Sequence, residues 1–196
     1  MYTTPDSHFN QPIDKQIKHQ KMKILKTKIP KSSILYPDQN QYNYIDSYEG
    51  AVNDKDNTMG IDDVAKAFLK PGPKWVDTLF TFRNKIVSLF GLKTPNERMD
   101  AKRLDSFKFE PGERVGLFKI FSKTTNELIL GEDDNHLNFR VSLLLEESKN
   151  DTSTKIVTVT TLVIYNNWFG RLYFFPVKPF HKLIVQSGLK ISLGEL

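Results

Sequence analysis

Residues 154–190 read TKIVTVTTLVIYNNWFGRLYFFPVKPFHKLIVQSGLK, and a change of pattern inside this stretch sets the architecture. Up to Tyr165 the odd positions Val157, Val159, Val163 and Tyr165 oppose a more mixed even set, which is the two-residue period of a strand. Beyond Asn166 the chain turns aromatic, and Phe180, Leu183, Ile184 and Leu189 supply an apolar face at helical spacing. A strand that runs into a long closing helix implies a curved antiparallel sheet with the helix lying across it. Pro176 and Pro179 interrupt the helical segment, so a late helix start or a kink is expected near 176–179.

The segments before it fit the same plan. Strands are predicted over 114–124, 126–133 and 137–147, with tight polar junctions at 124–126 and 133–135. In 137–147 the odd residues Leu137, Phe139, Val141, Leu143 and Leu145 make a dry face. Asn138, Arg140, Ser142 and Glu146 on the even positions predict a wet one. An earlier strand is read in 42–52, YNYIDSYEGAV, where Tyr42, Tyr44, Asp46 and Tyr48 alternate with Asn43, Ile45 and Ser47. The short alternations 23–29 and 33–36 are expected to pair at a sheet edge, with Pro30 and Pro37 as breaks. Two helices follow the 42–52 strand. One covers 61–69 behind Gly60 as N-cap, with Asp62 and Asp63 at the positive end of its dipole. The other runs from Pro73 to Phe90 with Trp75, Leu79, Phe82, Ile86 and Phe90 on one face and Gly91 beyond it. Residues 94–97, TPNE, read as a capping box for a short further turn.

Composition narrows the function classes. At 196 residues the chain suits one well-buried core, with residues 1–31 as a Lys-rich, partly disordered arm and 32–196 as a single domain. The net charge of +5 sits in that arm, which holds seven Lys against Asp6 and Asp14. The remaining 165 residues balance 21 basic with 21 acidic side chains, and clustered Arg or interleaved aromatics are missing from the arm. A nucleic-acid partner is therefore not expected. Zero cysteines exclude disulfides and thiolate metal sites. No apolar run reaches the length of a membrane span, and a cytoplasmic protein is the simplest expectation.

Three long segments carry a family resemblance: PKWVDTLFTFRNKIVSLFGLK (73–93), LGEDDNHLNFRVSLLLEE (130–147) and YFFPVKPFHKLIVQSGLK (173–190). Together they resemble the domain of unknown function 2867 family, within the START/Bet v 1-like (SRPBCC) superfamily. The resemblance implies an α+β helix-grip fold: a bent antiparallel sheet wrapped around a long C-terminal helix, with two shorter helices after the first strand. It also implies a cavity between sheet and helix, and it brings no catalytic mechanism. Some relatives carry the module behind a dinucleotide-binding domain. No Gly-rich phosphate loop occurs in this sequence, so no NAD or other cofactor is expected.

The candidate chemistry is sparse. His8 and His19 lie in the arm. His136 stands in GEDDNH beside Asp133 and Asp134, where a turn competes with a metal site, and the turn is the preferred reading. His181, on the closing helix, either presents a polar tip to an enclosed cavity or hydrogen-bonds a backbone group. Arg171, with Arg83, suits an anionic ligand at a cavity mouth, although structural pairing is the common fate of such Arg. No nucleophile–base–orienter set can be assembled, so no catalytic and no metal-binding residue is assigned. The expected function is binding of a small, largely apolar molecule, with His181, Arg171 and Arg83 as polar contacts and Trp75, Tyr165 and Trp168 as walls. Two alternatives stay open: a cyclase, hydratase or isomerase using His136 or His181 as acid/base, and a ligand-free interaction module.

Overall fold

The computed structural model describes residues 23–70, 104, 106–116 and 118–196. The expected helix over 73–90, with Trp75 and Arg83, and the capping box at 94–97 lie outside the described residues. So do His8 and His19.

The described chain is α+β. Its elements are β1 (Leu25–Thr27), a 3-10 turn (Gln39–Gln41), β2 (Tyr44–Asn53), α1 (Ile61–Leu69), β3 (Arg114–Val115), β4 (Phe118–Lys123), β5 (Glu127–Asp133), β6 (Leu137–Glu147), β7 (Thr154–Tyr165) and α2 (Trp168–Glu195). The strands form one antiparallel sheet in the order β1-β2-β7-β6-β5-β4-β3. Consecutive strands pair from β3 to β7, and β2 then docks on the far side of β7 over ten residue pairs. A register shift between Ile120 and Ser122 bulges β4, and such irregularities bend a sheet.

The sheet and helices meet over the face predicted to be dry. Val141, Leu143, Leu145, Val157, Val159 and Leu130 pack there against Val185, Leu189 and Leu193 of α2 and Ile61, Val64 and Ala65 of α1. Burying each Val or Leu completely is worth about 1.5–3 kcal/mol, so this layer holds the helix on the sheet. Asp63 Oδ2 accepts from Gly60 N at 2.9 Å and starts α1 where the sequence places it.

Three expectations are corrected. First, α2 starts at Trp168, not near 176–179. Asn167 Oδ1 accepts from Gly170 N at 3.0 Å and caps the helix, which then runs through Pro176 and Pro179. Arg171 therefore belongs to the first turns of the helix. Second, the face of β6 predicted to be wet is covered in its middle, where Ser142 and Leu144 are fully buried. The cover is the segment between β1 and β2. Ser32 Oγ donates to Glu146 at 2.7 Å, Ser33 Oγ to Glu127 Oε1 at 2.6 Å, and Ile34 N to Glu127 Oε2 at 2.8 Å. Third, 33–36 is not an edge strand. Ser33 N bonds Pro30 O and Tyr36 N bonds Ser33 O, so consecutive turns replace ladder pairing in a segment bracketed by Pro30 and Pro37. By contrast, Leu25–Thr27 does pair at the edge, against Ser47–Glu49 of β2.

Candidate functional site

The polar residues of interest stand where β2 and β7 face α2. Strand alternation puts Tyr44, Asp46 and Tyr48 on the helix side of β2, opposite Val163, Thr161 and Val159 of β7. On α2 the spacing Phe174, Lys178, His181, Val185 makes one helical row, and its members reach this same region. The Phe174 ring lies 4.9 Å from that of Tyr44, and Lys178 Nζ sits 4.7 Å from the Tyr44 ring centroid. His181 Nε2 comes to 3.7 Å from Asp46 Oδ1.

Asp46 is buried and asymmetrically satisfied. Its Oδ2 accepts the Tyr44 hydroxyl at 2.6 Å, whereas Oδ1 has no hydrogen-bond partner. Two further buried atoms nearby are also without one: His181 Nε2, beyond hydrogen-bond reach of Asp46, and Oγ1 of Thr161, the cross-strand partner of Asp46. A buried polar atom left unpaired costs about 1–3 kcal/mol, so three in one layer call for a reason. Burial pushes the Tyr44 hydroxyl far above the usual tyrosine range, and its bond to Asp46 adds to the effect. The Tyr48 hydroxyl is raised by burial and by the Asp46 charge, against the pull of a hydrogen bond with Gln186 of α2. Tyr44 is thus kept as a proton donor toward Asp46.

The sequence-derived candidates are distributed unevenly around this layer. His181 is in it. Tyr165 is half-buried and joins it through the Phe174 ring, 5.8 Å away, and Phe174 in turn lies 6.3 Å from His181. Arg171 is exposed, with its guanidinium carbon 6.0 Å from the Tyr165 ring centroid. Trp168 is largely exposed and does not line this interior. Tyr44, Asp46, Thr161 and Lys178 are additions that the sequence reading did not single out. The available signal was an aspartate in the middle of a tyrosine-rich strand face, since a carboxylate among buried aromatics needs a partner.

Two other places have polar groups close together, and at the first of them His136 Nδ1 is likewise buried without a hydrogen bond. His136 is buried at the β5–β6 turn, its ring 4.9 Å from Tyr173 and 5.7 Å from Phe169, with Nδ1 3.4 Å from Asp134 Oδ2. The turn is built by Asn135 N donating to Asp134 Oδ1 at 2.6 Å, the Asx chemistry expected of that sequence. No group of three His, Cys, Asp or Glu among the described residues is placed to hold a metal ion. An open cleft of about 690 Å³ lies at the other end of α2, lined by Asp54, Asp56, Asp63 and Glu195 among others. Three of these four carboxylates are engaged: Asp54 with Lys155 at 3.0 Å, Asp63 with Gly60 N, and Glu195 with Lys70 at 2.8 Å. The Asp46–His181–Thr161 layer is the stronger candidate, because three of its buried atoms lack a hydrogen bond and Asp46 faces His181 only across 3.7 Å.

The geometry defines a class first: an α+β protein whose antiparallel sheet is closed by one long helix, with a buried carboxylate–imidazole pair between the two layers. The chain belongs to the DUF2867 family of proteins of unknown function, whose family model matches residues 39–188 and so spans both Asp46 and His181. No curated protein and no solved structure matches it. No helix among the described residues is long and apolar enough to cross a membrane.

Proposed function

We propose that this protein binds a small, largely apolar molecule between the sheet and α2, with one polar group of the ligand received by Asp46, His181 and Thr161. The observation that carries the reading is the set of three buried polar atoms in one layer that lack a hydrogen bond. Pockets of this type are mostly apolar, with a few polar groups that fix orientation. Tyr44, Phe174 and Tyr165 supply the apolar surround, and Asp46 Oδ1 calls for a proton donor, so an amine or hydroxyl head fits better than a carboxylate. The strand order and the closing helix support placing the fold with the START/Bet v 1-like helix-grip proteins, in which sheet and helix enclose such a space.

The three atoms are sealed from solvent, so entry requires α2 to move. Pro176 and Pro179 fall beside the site and remove two backbone donors from the helix, which lowers the cost of bending it there. A thermal-shift series tests the reading with long-chain amines and alcohols against acids of equal length. Binding to the native state raises apparent stability, and a saturating amine or alcohol is expected to raise Tm by about 5 °C. The same probe should leave Asp46→Asn unmoved. A larger shift with the acids, or equal shifts in both proteins, counts against this site.

The Tyr44–Asp46–His181 chain also supports a second reading, an isomerase, hydratase or cyclase with His181 as acid/base. Once a ligand is known, His181→Gln should then abolish turnover while ligand still binds. Turnover retained in that variant would remove His181 from the chemistry.

A further inference from the structure

The outer side of α2 carries an apolar stripe that the other described residues leave exposed. Trp168 is 76% exposed, Leu172 56%, Phe175 78% and Leu183 55%, and exposed Pro179 completes the row. Their spacing of four, three, four and four residues places them on one helix face, about 22 Å long at 1.5 Å per residue. Single exposed apolar side chains are ordinary. Four large ones in register on one helix mark a surface that is meant to be covered.

The flanking charges say what covers it. Arg171 and Lys182 lie along one margin of the stripe, and the first acidic residue on α2 is Glu195, in its last turn. Neither cation forms an ion pair among the described residues, and the Arg171 guanidinium stands near the Tyr165 ring. Aromatic and aliphatic side chains on one face with Lys and Arg at its edge make the pattern of a helix lying in a bilayer interface. There Trp settles at headgroup level and long cationic side chains reach the phosphates. A second copy of the chain fits worse. A two-fold contact through this face would bring the basic margin near its own duplicate, with no acidic residue on the stripe to answer it. The sequence adds further positive charge, the seven Lys of residues 1–31, which an anionic surface attracts.

We infer that the outer face of α2 docks this protein on the surface of an anionic phospholipid bilayer, as a peripheral and not a spanning contact. The inference does not depend on the proposed ligand site, which occupies the opposite side of the same helix.

Co-sedimentation of the full chain with vesicles tests it, using phosphatidylcholine alone and phosphatidylcholine mixed with phosphatidylserine. Binding is expected to the mixed vesicles, to weaken in high salt, and to shift tryptophan emission to the blue. Trp168→Ser with Phe175→Ser should lower the bound fraction by about tenfold or more, since both rings leave the interface. Arg171→Glu with Lys182→Glu should weaken binding by about fivefold for each charge reversed. The charge variant keeps the test decisive if the first variant folds poorly. No binding to either vesicle, equal binding to both, or insensitivity to the charge variant would overturn the inference. So would a Phe175-dependent dimer in lipid-free buffer, which would assign the stripe to a second copy.

Discussion

Two buried carboxylates on opposite faces of the sheet meet very different surroundings. Glu127, on the outer face, receives Ser33 Oγ at 2.6 Å, Ser142 Oγ at 2.5 Å and the Ile34 amide at 2.8 Å. Asp46, on the helix face, receives one donor on one oxygen and leaves the other facing His181 across 3.7 Å. The first carboxylate ties the turn segment 30–37 to β5 and β6, so its donors are spent on structure. The second is held in place by Tyr44 and has acceptor capacity left over. Full satisfaction marks a group that stabilises the fold. Incomplete satisfaction in a sealed layer marks one kept for something else, because folding alone would favour filling that site with apolar atoms.

The largest expected effect falls on the outer face. Glu127→Ala strands two buried hydroxyls and an amide, and urea unfolding should show a loss of about 3 kcal/mol or more. A loss below about 1 kcal/mol would mean that the clasp is not structural, and the contrast with Asp46 would collapse. Next comes the placement of α2 over the site. A Cβ at Gly170 would lie 1.9 Å from the His136 carbonyl oxygen, backbone that cannot swing aside. Gly170→Ala should therefore cost about 1–3 kcal/mol and loosen the first turn of α2. Unchanged stability would show that the helix start is free to shift.

Smaller effects belong to the inner face. The Tyr44 hydroxyl is raised in the folded state by burial and by Asp46, and Tyr48 is raised in the same direction. Above the unfolded value of ~10 the native state holds protons that the unfolded chain gives up, so this stability is full below that pH and is lost as pH rises. Each raised tyrosine removes at most about 1.4 kcal/mol per pH unit above ~10. Urea titrations of wild type and Tyr44→Phe across that range should diverge, with the variant losing less. The smallest change is expected for Asp46→Asn, within about 1 kcal/mol of wild type, because the amide keeps the shape and still accepts from Tyr44. A loss as large as that of Glu127→Ala would make Asp46 a structural residue after all.

The sheet was legible because its signal is local. The period-two runs in Leu137–Glu147 and Thr154–Tyr165 place both strands at the ends observed. The start of α2 was not, because Pro176 and Pro179 dominate a local reading, whereas the cap at Asn167 and the packing of Phe174 and Val185 keep the helix going through them. The covering of Ser142 was hidden for a related reason. A strand face that reads as polar stays wet only if nothing crosses it, and the crossing segment lies far away in the chain. Of the site, His181 and Tyr165 could be named from their segment alone. Asp46 and Thr161 could not, since their nearness to His181 depends on the β2–β7 register and on which way α2 lies across it.

Asp46, His181 and Thr161 are proposed to receive a ligand between sheet and helix. Native mass spectrometry of wild-type protein and Asp46→Asn, purified side by side from cells, tests it most directly. A small molecule bound one-to-one to the wild type and lost from the variant is the expected result. Wild-type protein of bare mass, or an adduct carried equally by both, would contradict it.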